Sequence, residues 1–119
     1  MRESIHKYFK VGTIRWMSFP RLNALEAAKK IACDDFFDAI EIKSCDSEEE
    51  RVALKQILET SHLKVCYGAQ PRLLGPKLNP NDLDEAGRSK AEATLIEAVD
   101  DAEYFGAGGI AFLAGKWSE

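Results

Sequence analysis

The chain has 119 residues and a formal charge of −4 at pH 7, with 45% hydrophobic and 30% charged residues. These fractions are those of an ordinary globular protein, so disorder is not expected. The acidic balance gives no electrostatic reason to expect nucleic acid or an anionic membrane as a partner. At this length we expect one domain with one core, spanning residues 1–119.

Cysteine usage and the first residues indicate a soluble, cytoplasmic chain. Cys33, Cys45 and Cys66 are odd in number and lack C-x-x-C spacing, which favours reduced thiols over disulfides or a zinc site. The first residues have no apolar run like that of a signal peptide. No stretch approaches the roughly 20 apolar residues that a membrane-spanning helix needs. We therefore expect no membrane partner.

Four short apolar runs alternate with helical patterns along the chain. The runs cover residues 10–16, 39–44, 63–68 and 109–114, and each has the length and the β-branched or aromatic content of a strand. Long connections between successive strands imply parallel neighbours, because a two-residue hairpin cannot join parallel strands. The predicted fold class is α/β, with about four parallel β-α repeats.

Three amphipathic patterns predict the helices between these strands. The first follows Pro20, the second opens with the capping box at 47–50, and the third runs from about Asp82 to Phe105 with Gly106 as its stop. Their expected buried faces are Leu22, Leu25, Ala28, Ile31 and Ala32; Val52, Leu54, Ile57 and Leu58; and Leu83, Ala86, Leu95, Val99 and Ala102. The connection from Ala69 to Asn81 is long enough to suggest a functional loop.

Polar residues alternate with isoleucines in the second predicted strand. If Ile40 and Ile42 pack under helices, Glu41 and Lys43 point to the opposite face of the sheet. This pattern leaves two interpretations open. The charged residues could be solvated on a half-covered sheet, or they could form the floor of a polar pocket.

Three further polar residues extend this pattern to the neighbouring strands. Thr13 and Arg15 share one phase of the first strand, and Gln70 follows the third. We expect them to join Glu41 and Lys43 near the carboxyl ends of the strands, where α/β proteins bind ligands. Arg15 and Lys43 are then available to hold a phosphate group or sugar hydroxyls.

Several segments taken together resemble a known family of barrels. They are Lys10-Val11-Gly12-Thr13, Ala39-Ile40-Glu41-Ile42, Tyr67-Gly68-Ala69-Gln70-Pro71, and residues 98–107 leading into 110–116. Their order resembles the amino-terminal half of the xylose isomerase-like TIM barrels, which include sugar phosphate isomerases/epimerases and endonuclease IV-type DNA-repair enzymes. Because a complete (β/α)₈ barrel needs roughly 250 residues, the resemblance implies half of a TIM barrel, a (β/α)₄ form truncated relative to full-length relatives.

The resemblance implies a function in carbohydrate metabolism. The chain would be related to sugar isomerases and epimerases, with a sugar or sugar phosphate contacting Arg15, Glu41, Lys43 and Gln70. In that family a divalent metal (Mn, Zn or Mg) is held by residues on later strands. With His6 and His62 as its only histidines and no carboxylate-histidine cluster at ligand spacing, this chain is expected to bind no metal or other cofactor tightly and to be inactive by itself. No catalytic residue is assigned.

Two other functions stay open. A non-catalytic half-barrel could bind a ligand or associate with itself, because its edge strands and an inner face that includes Cys66, Ala111 and Leu113 would be uncovered. An endonuclease IV-type relative is disfavoured by the acidic charge, the two histidines and the lack of a basic patch.

Overall fold

Four parallel strands form the sheet of this protein, whose computed structural model describes residues 5–115. The strands are β1 (Gly12–Ile14), β2 (Ala39–Ile42), β3 (Lys64–Gly68) and β4 (Ile110–Ala111), in the spatial order β1-β2-β3-β4. The helices are α1 (Arg15–Ser18), α2 (Ala24–Ala32), α3 (Glu48–Thr60), α4 (Gln70–Leu74) and α5 (Glu85–Tyr104). Each pair of neighbouring strands is parallel, so the predicted α/β class with the arrangement of half a (β/α)₈ barrel is confirmed.

Side-chain caps fix where the longer helices begin. The Ser47 hydroxyl accepts a hydrogen bond from the Glu50 amide at 3.1 Å, as the capping box predicts. The Glu50 carboxylate accepts instead from the amide of Asp46, one residue before the cap. Asn23 and Asp84 cap α2 and α5 with their side-chain oxygens. A cap of this kind typically contributes about 1 kcal/mol.

The predicted stop of α5 is also found. Gly106 has φ +66°, a left-handed conformation that glycine adopts at little cost, and its amide donates to the Glu103 carbonyl at 2.9 Å. The next amide, that of Ala107, donates to the Ala102 carbonyl at 2.9 Å. These bonds satisfy carbonyls at the helix end and turn the chain into β4.

The apolar core lies between the helices and one face of the sheet. Ile40 and Ile42 of β2 are completely buried, as predicted, and pack with apolar residues of α2 and α3. Their core partners on these helices are Ala28, Ile31, Leu54 and Leu58. The phase predicted for β2 is therefore confirmed.

Parts of two predicted buried faces are wrong. Val52 is 42% exposed because it lies two positions from the buried Leu54, about 200° around the helix axis. On α5 the buried positions are mainly alanines, namely Ala91, Ala98 and Ala102 together with Asp101. These small residues let α5 approach closely, whereas Leu83, Ala86 and Val99, which were expected inside, are exposed.

Two further expectations from the sequence concern membrane-spanning helices and the state of the cysteines. Among residues 5–115, no helix has both the length and the apolar character that crossing a bilayer requires. Cys33, Cys45 and Cys66 are all free thiols.

A buried carboxylate joins four elements of the fold. Asp101 of α5 is 7% exposed. It accepts hydrogen bonds from the Tyr67 hydroxyl of β3 at 2.7 Å, from Arg51 Nε of α3 at 2.8 Å and from an Arg72 terminal nitrogen of α4 at 3.1 Å. Arg72 Nε also donates to the Tyr67 hydroxyl at 3.0 Å. This Asp101 network, formed by Asp101, Tyr67, Arg51 and Arg72, links the sheet to three helices.

The pKa values in this network follow from burial and hydrogen bonding. Burial alone raises the pKa of the Asp101 carboxyl, but the hydrogen bonds from Tyr67, Arg51 and Arg72 outweigh it, and the pKa lies below its usual range. Burial, followed by the hydrogen bond to Asp101, raises the pKa of Tyr67 to about 12. At neutral pH the carboxylate is therefore ionised and the phenol protonated, as the observed bonds require.

Replacing Asp101 with alanine is expected to lower the free energy of unfolding by about 3 kcal/mol. The Asp101→Ala change leaves the Tyr67 hydroxyl and two guanidinium groups without their buried acceptor. Urea denaturation followed by circular dichroism measures the loss.

The matched control is Asp100→Ala, on the exposed surface one residue away, which should change stability by less than about 0.5 kcal/mol. An Asp101→Ala loss no larger than the control loss would contradict the prediction.

The stabilisation by Asp101 should depend on pH. Because the pKa of Asp101 is lower in the folded protein than in the unfolded chain, its contribution to the free energy of unfolding is fully present above the unfolded pKa of about 4. This contribution is lost as pH falls through the folded pKa. The difference in free energy of unfolding between wild type and Asp101→Ala should therefore become smaller in acid.

Candidate functional site

The strand register decides which residues share the face away from the core. In a parallel ladder, paired residues point to the same side of the sheet. Glu41 pairs with Ile14 on one side and with Cys66 on the other, so these three residues lie on the face opposite Ile40 and Ile42. We call this side the open face, and it is where the sequence predicted Glu41.

The placement of Thr13 on that face is wrong. Thr13 pairs with Ile40 and therefore faces the core side, where its hydroxyl is hydrogen-bonded to that of Ser18. The strand also ends at Ile14, and Arg15 begins α1. Alternation within one strand does not set its phase relative to the next, because pairing register decides which set faces the core.

Two unpartnered acceptors converge over Gly68 on the open face. A Cβ atom at Gly68 would lie 2.5 Å from Glu41 Oε1, 2.7 Å from Gln70 Oε1 and 2.6 Å from Cη2 of the Trp16 indole. Both oxygens are buried, and neither has a hydrogen-bond partner among the described residues. We call Glu41 and Gln70 the acceptor pair. Its geometry depends on glycine, since any side chain at position 68 would occupy the same space.

Helix α4 brings Gln70 to this position. The sequence predicted Gln70 in phase with the third strand, but the strand ends at Gly68 and Gln70 is the first residue of α4. The segment expected to be a long loop thus contains a short helix, and Pro71 is its second residue. Arg72 on the same helix bonds to Asp101 and Tyr67, so the Asp101 network fixes the helix that carries Gln70.

Arg15 and Lys43 meet in a separate cavity of about 220 Å³. We call it the Arg15 cavity; its lining also includes Trp16, Asn23, Ala24, Ser44, Asp46 and Glu50. Arg15 is only 5% exposed, and its Nε is buried without a hydrogen-bond partner in the described part of the chain. Burial lowers the pKa of the Arg15 guanidinium, and the neighbouring Cys45, Glu50 and Asp46 partly offset that effect.

The four predicted site residues therefore form two pairs rather than one cluster. Glu41 and Gln70 lie over Gly68, whereas Arg15 and Lys43 line the Arg15 cavity. Trp16 lies against the space over Gly68 and also lines the Arg15 cavity, so it borders both regions. Trp16 is not among the predicted site residues, although its position at the carboxyl end of the first predicted strand is a usable indication.

The described residues do not offer a set of metal ligands. Within residues 5–115, no three His, Cys, Asp or Glu side chains come together in a group that could hold a metal ion. His6 Nδ1 lies 2.5 Å from Asp38 Oδ2, in a pair away from the acceptor pair. The divalent metal that the family resemblance implies does not fit these residues alone.

No protein-family model matches the chain, and no curated protein matches its sequence.

Replacing Gly68 with alanine is expected to destabilise the protein by about 2 kcal/mol. The new methyl group would overlap the side-chain atoms of Glu41, Trp16 and Gln70 that lie within 2.7 Å of its position. Denaturation in urea, followed by circular dichroism, measures the loss of stability.

Gly109→Ala is the matched control, because a Cβ atom there meets nothing within 4 Å. This control should leave stability nearly unchanged or raise it slightly. Equal stability of the two variants would show that the space above Gly68 is not tightly closed.

Proposed function

We propose that this protein binds a sugar or sugar phosphate at the acceptor pair and is related in function to the sugar isomerases and epimerases of the xylose isomerase-like TIM barrels. The observation that carries the proposal is the convergence of two buried, unpartnered oxygens, Glu41 Oε1 and Gln70 Oε1, over Gly68 beside the Trp16 indole. A buried acceptor without a donor costs about 1–3 kcal/mol. Once a covering side chain such as Trp16 moves aside, a ligand with closely spaced hydroxyl donors would relieve that cost at both oxygens.

The chemistry of this region suits a polyol better than an apolar ligand. Sugar hydroxyls donate to a carboxylate and to an amide oxygen, and bonds to a carboxylate are the stronger of the two kinds. The Trp16 ring adds an apolar surface on which the C–H side of a sugar ring can pack. An apolar ligand would leave both oxygens unsatisfied, which selects against it.

The proposal assigns binding and no chemical step to these residues. Glu41 and Gln70 orient the hydroxyls, while Arg15 and Lys43 serve the same ligand from the neighbouring cavity. A cytoplasmic location is part of the proposal and agrees with three free thiols. Interconversion of sugars also requires a group that moves a proton or hydride between carbons, and no residue of this chain is assigned that role.

Removing either acceptor should weaken sugar binding by about tenfold, because each change deletes hydrogen bonds made on binding. The variants are Glu41→Ala and Gln70→Ala. Nuclear magnetic resonance titration with D-xylose, D-fructose and their phosphates measures the dissociation constants.

Exposed residues of the same types on α3 provide the controls, Glu49→Ala and Gln56→Ala. Neither control should change affinity. Sugar affinities unaltered in both acceptor variants would contradict the proposed role of the pair. An activity screen of the same sugars, with and without Mn²⁺ or Zn²⁺, then distinguishes an enzyme from a binding module.

A second candidate is a non-catalytic module that associates with a second copy of itself. Exposed Cys66 and Ala111 on β3 and β4 favour it, together with Leu113 just beyond β4, which is 44% exposed. Among the described residues, β1 and β4 also have only one strand neighbour each. Uncovered edges and apolar surface promote pairing between chains.

Sedimentation velocity at micromolar concentration tests this candidate, and a dimer is the expected result. Ala111→Asp should return the protein to monomer, because it places a charge on the open face that the second copy would cover. Ala93→Asp, on the exposed surface of α5, should leave the dimer intact. A single compact monomer of the wild-type chain would exclude the candidate.

A further inference from the structure

Arg15 is a buried cation on which the carboxylates of Glu50 and Asp46 act through space. The residue is 5% exposed, and its Nε is buried without a hydrogen-bond partner among residues 5–115. An arginine does not lose its proton in a protein, so the charge stays when the group is buried. A buried, unpaired charge costs several kcal/mol. The Arg15 cavity therefore contains a charged donor that lacks an acceptor, and an oxyanion would supply one.

The neighbours of Arg15 only partly offset its buried charge. Burial, followed by the field of Glu50, raises the pKa of the Cys45 thiol to about 12, so this sulfur is uncharged at neutral pH. The Glu50 carboxylate accepts a hydrogen bond from the Asp46 amide at the start of α3. Asp46 itself is exposed to water. Neither carboxylate lies within ion-pair distance of Arg15 in the described structure.

A second cation and a helix start support the same conclusion. Lys43 lines the cavity and makes no ion pair with the described residues. Ala24, the first residue of the nine-residue helix α2, also lines it. The amides of a helix start carry partial positive charge and favour anions. Asn23 and Ser44 add polar side chains to the lining.

We infer that the Arg15 cavity is a binding subsite for an oxyanion, the phosphate or carboxylate group of a small molecule, with the Arg15 guanidinium as its principal ligand. The volume of about 220 Å³ holds one such group with part of its carbon skeleton. Over the cavity lining, the charges of Arg15 and Lys43 are matched by those of Asp46 and Glu50. The oxyanion would therefore be held by the Arg15 donor and not by a net positive charge, and a singly charged oxyanion fits better than a more highly charged one. Identifying the anion as one end of a sugar ligand rests on the proposed function, whereas the anion site itself does not.

The test is a titration with sodium phosphate, followed by calorimetry and by thermal unfolding, against sodium chloride at equal ionic strength. Phosphate should bind the wild-type chain and raise its Tm. Arg15→Met should weaken phosphate binding by about tenfold or more, because it removes the charged hydrogen-bond donor. Without phosphate, Arg15→Met should be at least as stable as wild type, since the unpaired charge is gone. Arg21→Met, at an exposed arginine, is the control and should behave as wild type.

Two further measurements keep the test decisive if Arg15→Met folds poorly. Lys43→Met should also weaken phosphate binding, by less than Arg15→Met. In the wild-type chain, phosphate should shift the backbone amide resonance of Ala24. Equal phosphate affinity in the Arg15→Met and wild-type chains would overturn the inference, as would a wild-type chain on which phosphate acts no differently from chloride.

The choice of probes separates the two kinds of anion and the two proposals. Sodium acetate tests the carboxylate, and glucose 6-phosphate compared with glucose tests whether one ligand spans both regions. Binding of phosphate without any sugar would retain the anion subsite and contradict the proposed function. Sugar binding that is weakened by Glu41→Ala, together with no effect of phosphate, would support the proposed function and contradict the anion subsite.

Discussion

The Asp101 carboxylate is the constraint on which the arrangement of this protein depends. It is buried beside the apolar core, and an ionised group there is tolerated only when hydrogen bonds satisfy it. Its donors come from β3, α3 and α4, so the three elements must keep fixed positions around α5. One consequence reaches the other side of the sheet. Arg72 anchors α4 to this carboxylate, and α4 begins with Gln70, so the network in the core sets one half of the acceptor pair.

The sheet has two chemically different faces because β2 alternates. Ile40 and Ile42 close the core against the helices, and this packing leaves Glu41 on the open face. A parallel sheet usually has both faces covered. Here the open face contains a carboxylate, exposed small residues and a glycine over which side chains converge. The same alternation thus accounts for the stability of one side and for the binding proposals made for the other.

Features that depend on a short-range pattern could be predicted from the sequence. The opposite placement of Glu41 and Ile40 followed from alternation within a single strand, and the caps at Ser47 and Gly106 followed from local backbone chemistry. The phase of Thr13 did not follow, since it depends on how β1 pairs with β2. The separation of Arg15 from Glu41 was not predictable either, because it required the observation that β1 ends at Ile14.

The sequence by itself determined the order of elements, the parallel α/β class and the face of β2 that carries charge. These features depend on hydrophobic period, turn residues and connection length, all of which act over a few residues. Only the tertiary structure decided that Trp16 borders two regions, that Gln70 reaches over Gly68, and that Arg15 is buried without a partner. Each of those facts depends on strand register and helix placement across distant segments. Packing and buried charge pairing fix such distances, and no local pattern in the chain encodes them.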